Sequence, residues 1–260
     1  MKSSSQSQAA ISGGENSSTG LTINLLALSQ LQSDPDKATV IAAFERAAAV
    51  WTARIKSPVT VSMKIDYGSN RANGTAFPSD ILGSTSSGSI SDYYPSVRAK
   101  LIGSASDPVT ELGIYNSLPA SVIPTDTGDG SVIAISRSLS QTLGFLSPEP
   151  DTVVATISFN KTFAFDFNPD DGIDPGKIDF VGVAAHEIGH ALGFTSNSGE
   201  GSTAQVALWD MFRFRPGTTS GTFPSAQRIM SMRGTQVYFT GQTFVGGTNE
   251  LGLSTGGAEP

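Results

Sequence analysis

The sequence predicts an α+β fold in which a twisted, mixed β-sheet is backed by one long helix, while a second helix carries the chemistry. Three stretches predict it. A β-type run at 21–28 is followed by a long helical period and then by an alternating strand that closes at Tyr67-Gly68. A strongly apolar β run lies at Val153 to Phe159, and a buried-helix pattern at Phe180 to Leu192 contains both histidines of the chain. A helix crossing between two strands makes the sheet partly parallel.

The first twenty residues are polar and rich in Ser and Gly, without the apolar run of a secretory signal, and are expected to be a flexible segment. Residues 21–260 show no shift of composition and are expected to form one domain. Ser33-Asp34-Pro35 is a helix-start signal. The stretch from Asp36 to Lys56 then places Val40, Ala43, Phe44, Ala47, Val50, Trp51 and Ile55 at helical spacing, with Pro58 as the stop. Val59, Val61, Met63 and Ile65 alternate with polar residues as a half-buried strand. Residues 69 to 130, rich in Gly, Ser, Pro and Asn, give no ordered pattern beyond short apolar pieces at Val97 to Ile102 and Leu112 to Leu118. Val132 to Ile135 reads as a strand and Arg137 to Leu143 as a short helix ending at Gly144. Asp166 to Gly176 is a turn-rich acidic loop, and Asp179 is placed to cap the helix from Phe180.

Composition removes several function classes. With 38% apolar and 15% charged residues the chain is built to fold. Its net charge of −7, with only 16 Lys plus Arg and no dense basic run, lacks the electrostatic footprint of a nucleic-acid binder. The apolar stretch at 21–28 is too short to span a bilayer, and no other segment is better suited. There is no cysteine, so a transition metal would have to be held by His, Asp, Glu or water.

The chemistry-bearing pattern is H-E-x-x-H, present as His186, Glu187, Ile188, Gly189 and His190. Residues four apart share one helix face, with Cβ atoms about 5–6 Å apart, so two imidazoles converge on one ion at the zinc–nitrogen distance of ~2.0–2.1 Å. Glu187 is offset from both ligands, which lets its carboxylate act as a general base on a water activated by Zn2+. Gly189 keeps the turn between the ligands slim, and Gly193 suits a left-handed helix end. An isolated histidine on an apolar helix is ordinarily a hydrogen-bonded core residue. Here both histidines of the chain fall in one pattern, with Glu at the required offset.

HEIGHALGF resembles the metal helix of the metzincin zinc peptidases. FERAAAVW, GKIDFVGVAAHEIGH, LWDMFRF and ELGLSTGG add a similarity to the bacterial leishmanolysin-like branch, spread over most of residues 21–257. The resemblance implies a zincin-type fold with residues 21–260 as the catalytic domain. It also implies zinc-dependent endopeptidase activity on a protein or peptide substrate, extended along a sheet edge, in a secreted protein that is expected to be a monomer. His186 and His190 become metal ligands and Glu187 the catalytic base.

In the common metzincin pattern a third histidine follows the second by six residues, and here that place is Ser196. Leishmanolysin-like proteins carry their third ligand further on, so the chain is expected to be incomplete at its C-terminus. Two acidic substitutes stand beside that expectation: Asp210 on a predicted helix from Ala204 to Phe214, and Glu200 in a Ser/Gly-rich loop. The alternatives are pairing of Asp210 with Arg213 or Arg215, and a solvated charge at Glu200. Met230 and Met232 stand where a Met-turn would lie, or are ordinary packing residues. The acidic loops Asp126 to Gly130 and Asp166 to Asp174 are solvated turns or calcium sites without EF-hand register. The rival function is a secreted binding module that keeps the scaffold and has lost catalysis.

Overall fold

A computed structural model describes residues 20–107, 111–118, 120, 132–147, 152–195, 206–212, 228–229 and 238–239. In chain order these form β1 (Thr22–Ala27), α1 (Ser29–Ser33), α2 (Lys37–Thr52), β2 (Thr60–Gly68), β3 (Gly83–Ser87), β4 (Ser89–Tyr93), α3 (Tyr94–Ser104) and α4 (Glu111–Ser117). They continue as β5 (Val132–Ser136), α5 (Arg137–Thr142), β6 (Val153–Asn160), β7 (Phe165–Asp166), β8 (Ile178–Asp179), α6 (Phe180–Leu192), β9 (Val206–Ala207), β10 (Arg228–Ile229) and β11 (Tyr238–Phe239). The chain divides into two compact units, one of residues 1–88 with 147–192 and the other of residues 89–146 with 193–260.

The first unit is a mixed α+β assembly around a four-stranded sheet of order β1-β2-β6-β3. β1 runs parallel to β2, and β2 to β6, while β3 pairs antiparallel to β6 and forms one edge. The parallel β1–β2 pair is joined by α1 and α2, as a parallel pair needs a crossover. α2 packs against α6, and α6 against β3 and β6. Phe44 of α2, Phe159 of β6 and Phe180 of α6 are fully buried where these elements meet. The Phe44 ring lies edge-on to Phe180 at 5.0 Å and to Phe159 at 5.3 Å, a favoured arrangement for aromatic quadrupoles.

Local detail departs from the sequence expectation at four points. Ser33 closes the short helix α1 instead of opening α2, and α1 takes its N-terminal partner from β2, since Asp66 Oδ1 accepts from Leu31 N at 2.9 Å. α2 stops at Thr52, six residues before Pro58, and leaves Val50 37% exposed. β2, a central strand between β1 and β6, is buried along both of its faces and does not alternate, so Ser62 and Asp66 are interior along with Val61, Met63 and Ile65. Residues 206–212 form β9 and a 3-10 turn, Leu208–Phe212, in place of the helix expected from Ala204 to Phe214.

The second unit contains a three-stranded sheet of order β4-β5-β9, antiparallel then parallel. Its core gathers Tyr94, Val97 and Leu101 of α3 with Ile133 and Ile135 of β5 and with Val206, Leu208 and Met211. α5 ends close to Gly144, at φ 69°, as the sequence suggested, and Ser136 caps its start by accepting from Leu139 N. No helix among the described residues is long and apolar enough to cross a membrane.

Candidate metal centre

α6 begins as its residues dictate. Asp179 Oδ1 accepts from Gly182 N at 3.0 Å, an N-cap onto the third helical residue. Ala184, Ile188 and Ala191 are fully buried and hold one face of the helix to the core. The helix ends at Leu192, and Gly193 follows with φ 103°, a conformation that only glycine adopts without strain.

On another face His186 and His190 lie one turn apart. Their rings are edge-on, with centroids 4.4 Å apart and an interplanar angle of 83°. The two Nε2 atoms stand 2.9 Å from each other. Two nitrogens bound to a tetrahedral zinc at ~2.0–2.1 Å are about 3.3 Å apart, so a few tenths of an ångström separate this pair from a zinc-holding one. The same spacing suits an N–H···N hydrogen bond between a donor and an acceptor tautomer. His186 is exposed and His190 half-buried.

Glu187, between them in sequence, is 7% exposed. Its carboxylate meets β3, where the Thr85 hydroxyl lies 2.6 Å from Oε2 and 2.9 Å from the backbone carbonyl of the same glutamate. Two residues earlier on the same strand face, Gly83 lies against the Phe159 ring, where a Cβ would stand a tight 3.2 Å from the ring and at an ordinary contact of 3.4 Å from Glu187 Cγ. Sequence reasoning missed Thr85 and Gly83. They lie in the Gly/Ser-rich stretch, in an edge strand of small residues without apolar alternation.

Gly189 also has a more specific reason than slimness. Trp51 of α2 donates from Nε1 to Ala185 O at 2.8 Å, and its ring lies so close that a Cβ on Gly189 would sit 2.9 Å from Cζ2. The long helix and the histidine-bearing helix are therefore in contact through indole and glycine.

Of the other candidates, Asp210 lies on the 3-10 turn, but its side chain is outside the described residues, as are Glu200, Ser196, Met230, Met232 and the loop Asp126 to Gly130. Among the described residues no group of three His, Cys, Asp or Glu side chains converges as a metal site. In the loop from Asp166 to Asp174 the carboxylates already have partners. Asp166 accepts from Asn168 N and Asp174 N, Asp170 pairs with Arg46, and Asp174 pairs with Lys177. These backbone N–H groups, that of Asp174 foremost, hold the Asp166 carboxyl below the usual aspartate range. Compared with models of known protein families, with curated proteins and with solved structures, the chain matches none.

Proposed function

We propose that this chain is a zinc-dependent metalloendopeptidase with a zincin-like fold, cleaving protein or peptide substrates. The observation that carries the proposal is the pair of Nε2 atoms 2.9 Å apart on one helix, with a sheltered carboxylate at the intervening position. His186 and His190 would hold the ion, and the third protein ligand is assigned to no described residue. Zinc, when bound, supplies Lewis acidity that polarises a peptide carbonyl and acidifies water.

Glu187 then does the proton work. Its carboxylate accepts the proton of the attacking water and delivers it to the leaving amine as the C–N bond breaks. A largely buried carboxylate suits this task, because few competing waters reach it. β3 offers a sheet edge beside Glu187 along which an extended peptide would pair by main-chain hydrogen bonds. The proposal includes a secreted, monomeric protein.

The test is Glu187→Gln. Hydrolysis of a quenched fluorescent peptide library should fall by about 10²–10⁴-fold, the usual contribution of a general base, while metal analysis finds zinc at the wild-type level. Hydrolysis at the wild-type rate would sink the mechanism. A second reading, a binding module without catalysis, draws support from Ser196 standing where the common pattern has its third histidine. Metal-free protein of unchanged stability would favour that module.

A further inference from the structure

We propose that Thr85 is a positioning residue that fixes the catalytic carboxylate of Glu187 from the neighbouring strand. The hydroxyl has one proton and two acceptors within reach, Oε2 at 2.6 Å and the Glu187 carbonyl at 2.9 Å. Both oxygens can accept it, since a helical carbonyl keeps a second lone pair, and the shorter contact to a carboxylate oxygen makes Oε2 the preferred acceptor. The Oε2 separation is that of a short, charge-assisted O–H···O bond.

Thr85 is itself held by pairing with Ile157 in the β3–β6 ladder. The sheet, not only the helix, thus sets the direction of the carboxylate. Oε1 has no partner among the described residues and is the oxygen left for proton transfer. Glutamate has three rotatable side-chain bonds, and anchoring one oxygen removes most of the orientations in which Oε1 would miss its target.

The catalytic consequence rests on the peptidase proposal, whereas the positioning itself does not, and the experiment separates the two. Crystal structures of wild type and Thr85→Val, a β-branched replacement without the hydroxyl, show where the carboxylate goes. Peptide hydrolysis and zinc content are measured on the same preparations. The expected result is a Glu187 carboxylate that is hydrogen-bonded to Thr85 in wild type and swings to another rotamer in Thr85→Val. With it, kcat drops by about 10- to 100-fold, KM and zinc content hold, and Thr85→Ser recovers most of the loss. If wild type cleaves no peptide yet the carboxylate swings, the positioning stands and the peptidase proposal falls. A carboxylate that keeps its place in Thr85→Val overturns the positioning, as does an unchanged kcat in an active enzyme. Should the valine variant fail to fold, Thr85→Ala is measured in the same way.

Discussion

His186 and His190 sit on one face of α6 because 3.6 residues per turn brings every fourth side chain back to the same side, and this was legible from spacing alone. The asymmetry between the two histidines and Glu187 was not. The rings face outward while the glutamate turns toward β3, and the residue it meets, Thr85, is about a hundred positions earlier in the chain. Gly189 gives the same lesson, since its lack of a side chain admits Trp51, a residue far off in sequence. Gly189→Ala should therefore drive a methyl into the indole. The expected cost is ~1–3 kcal/mol of stability, as for other overpacked sites, read as a lower denaturation midpoint at unchanged slope. An alanine variant as stable as wild type would mean that Trp51 does not press on the helix.

At the scale of elements, the strands and helices with strong periodicity lie where the sequence places them. α6 even takes the predicted cap from Asp179. What local pattern could not reveal is structure completed from a distance. α1 has only five residues, and its N-terminal partner is Asp66 on β2, thirty-five positions further along. β3 is an edge strand of glycine, serine and threonine with no apolar stripe, so only its pairing with β6 defines it. The acidic loop before α6 is held by backbone N–H groups donating to Asp166, chiefly that of Asp174 and then that of Asn168, which lower its pKa in the folded state. A lowered folded pKa adds stability above the unfolded value of about 3.9, and that stability is lost as pH falls through the folded value. The thermal midpoint of wild type should exceed that of Asp166→Asn from pH 7 down to about pH 5, and the gap should close below about pH 4. A gap that persists undiminished at pH 3 would show that the charge of Asp166 does not hold the loop.

At the scale of the whole molecule, an acidic chain without cysteine and without a dense basic run leaves imidazole and carboxylate as the groups able to hold a transition metal. The mixed sheet with its backing helix was legible because parallel strands joined by a long amphipathic helix leave few arrangements. The division into two compact units was not, because each is assembled from separate stretches of chain with no change of composition between them. The proposed function requires a single ion shared by two rings of α6, which X-ray absorption at the zinc edge tests directly on protein loaded with one equivalent of zinc. It predicts a shell with two imidazole nitrogens at ~2.0–2.1 Å in wild type, and loss of tight binding in His186→Ala and in His190→Ala. A zinc environment without imidazole scattering, or zinc held equally well by both variants, would contradict it.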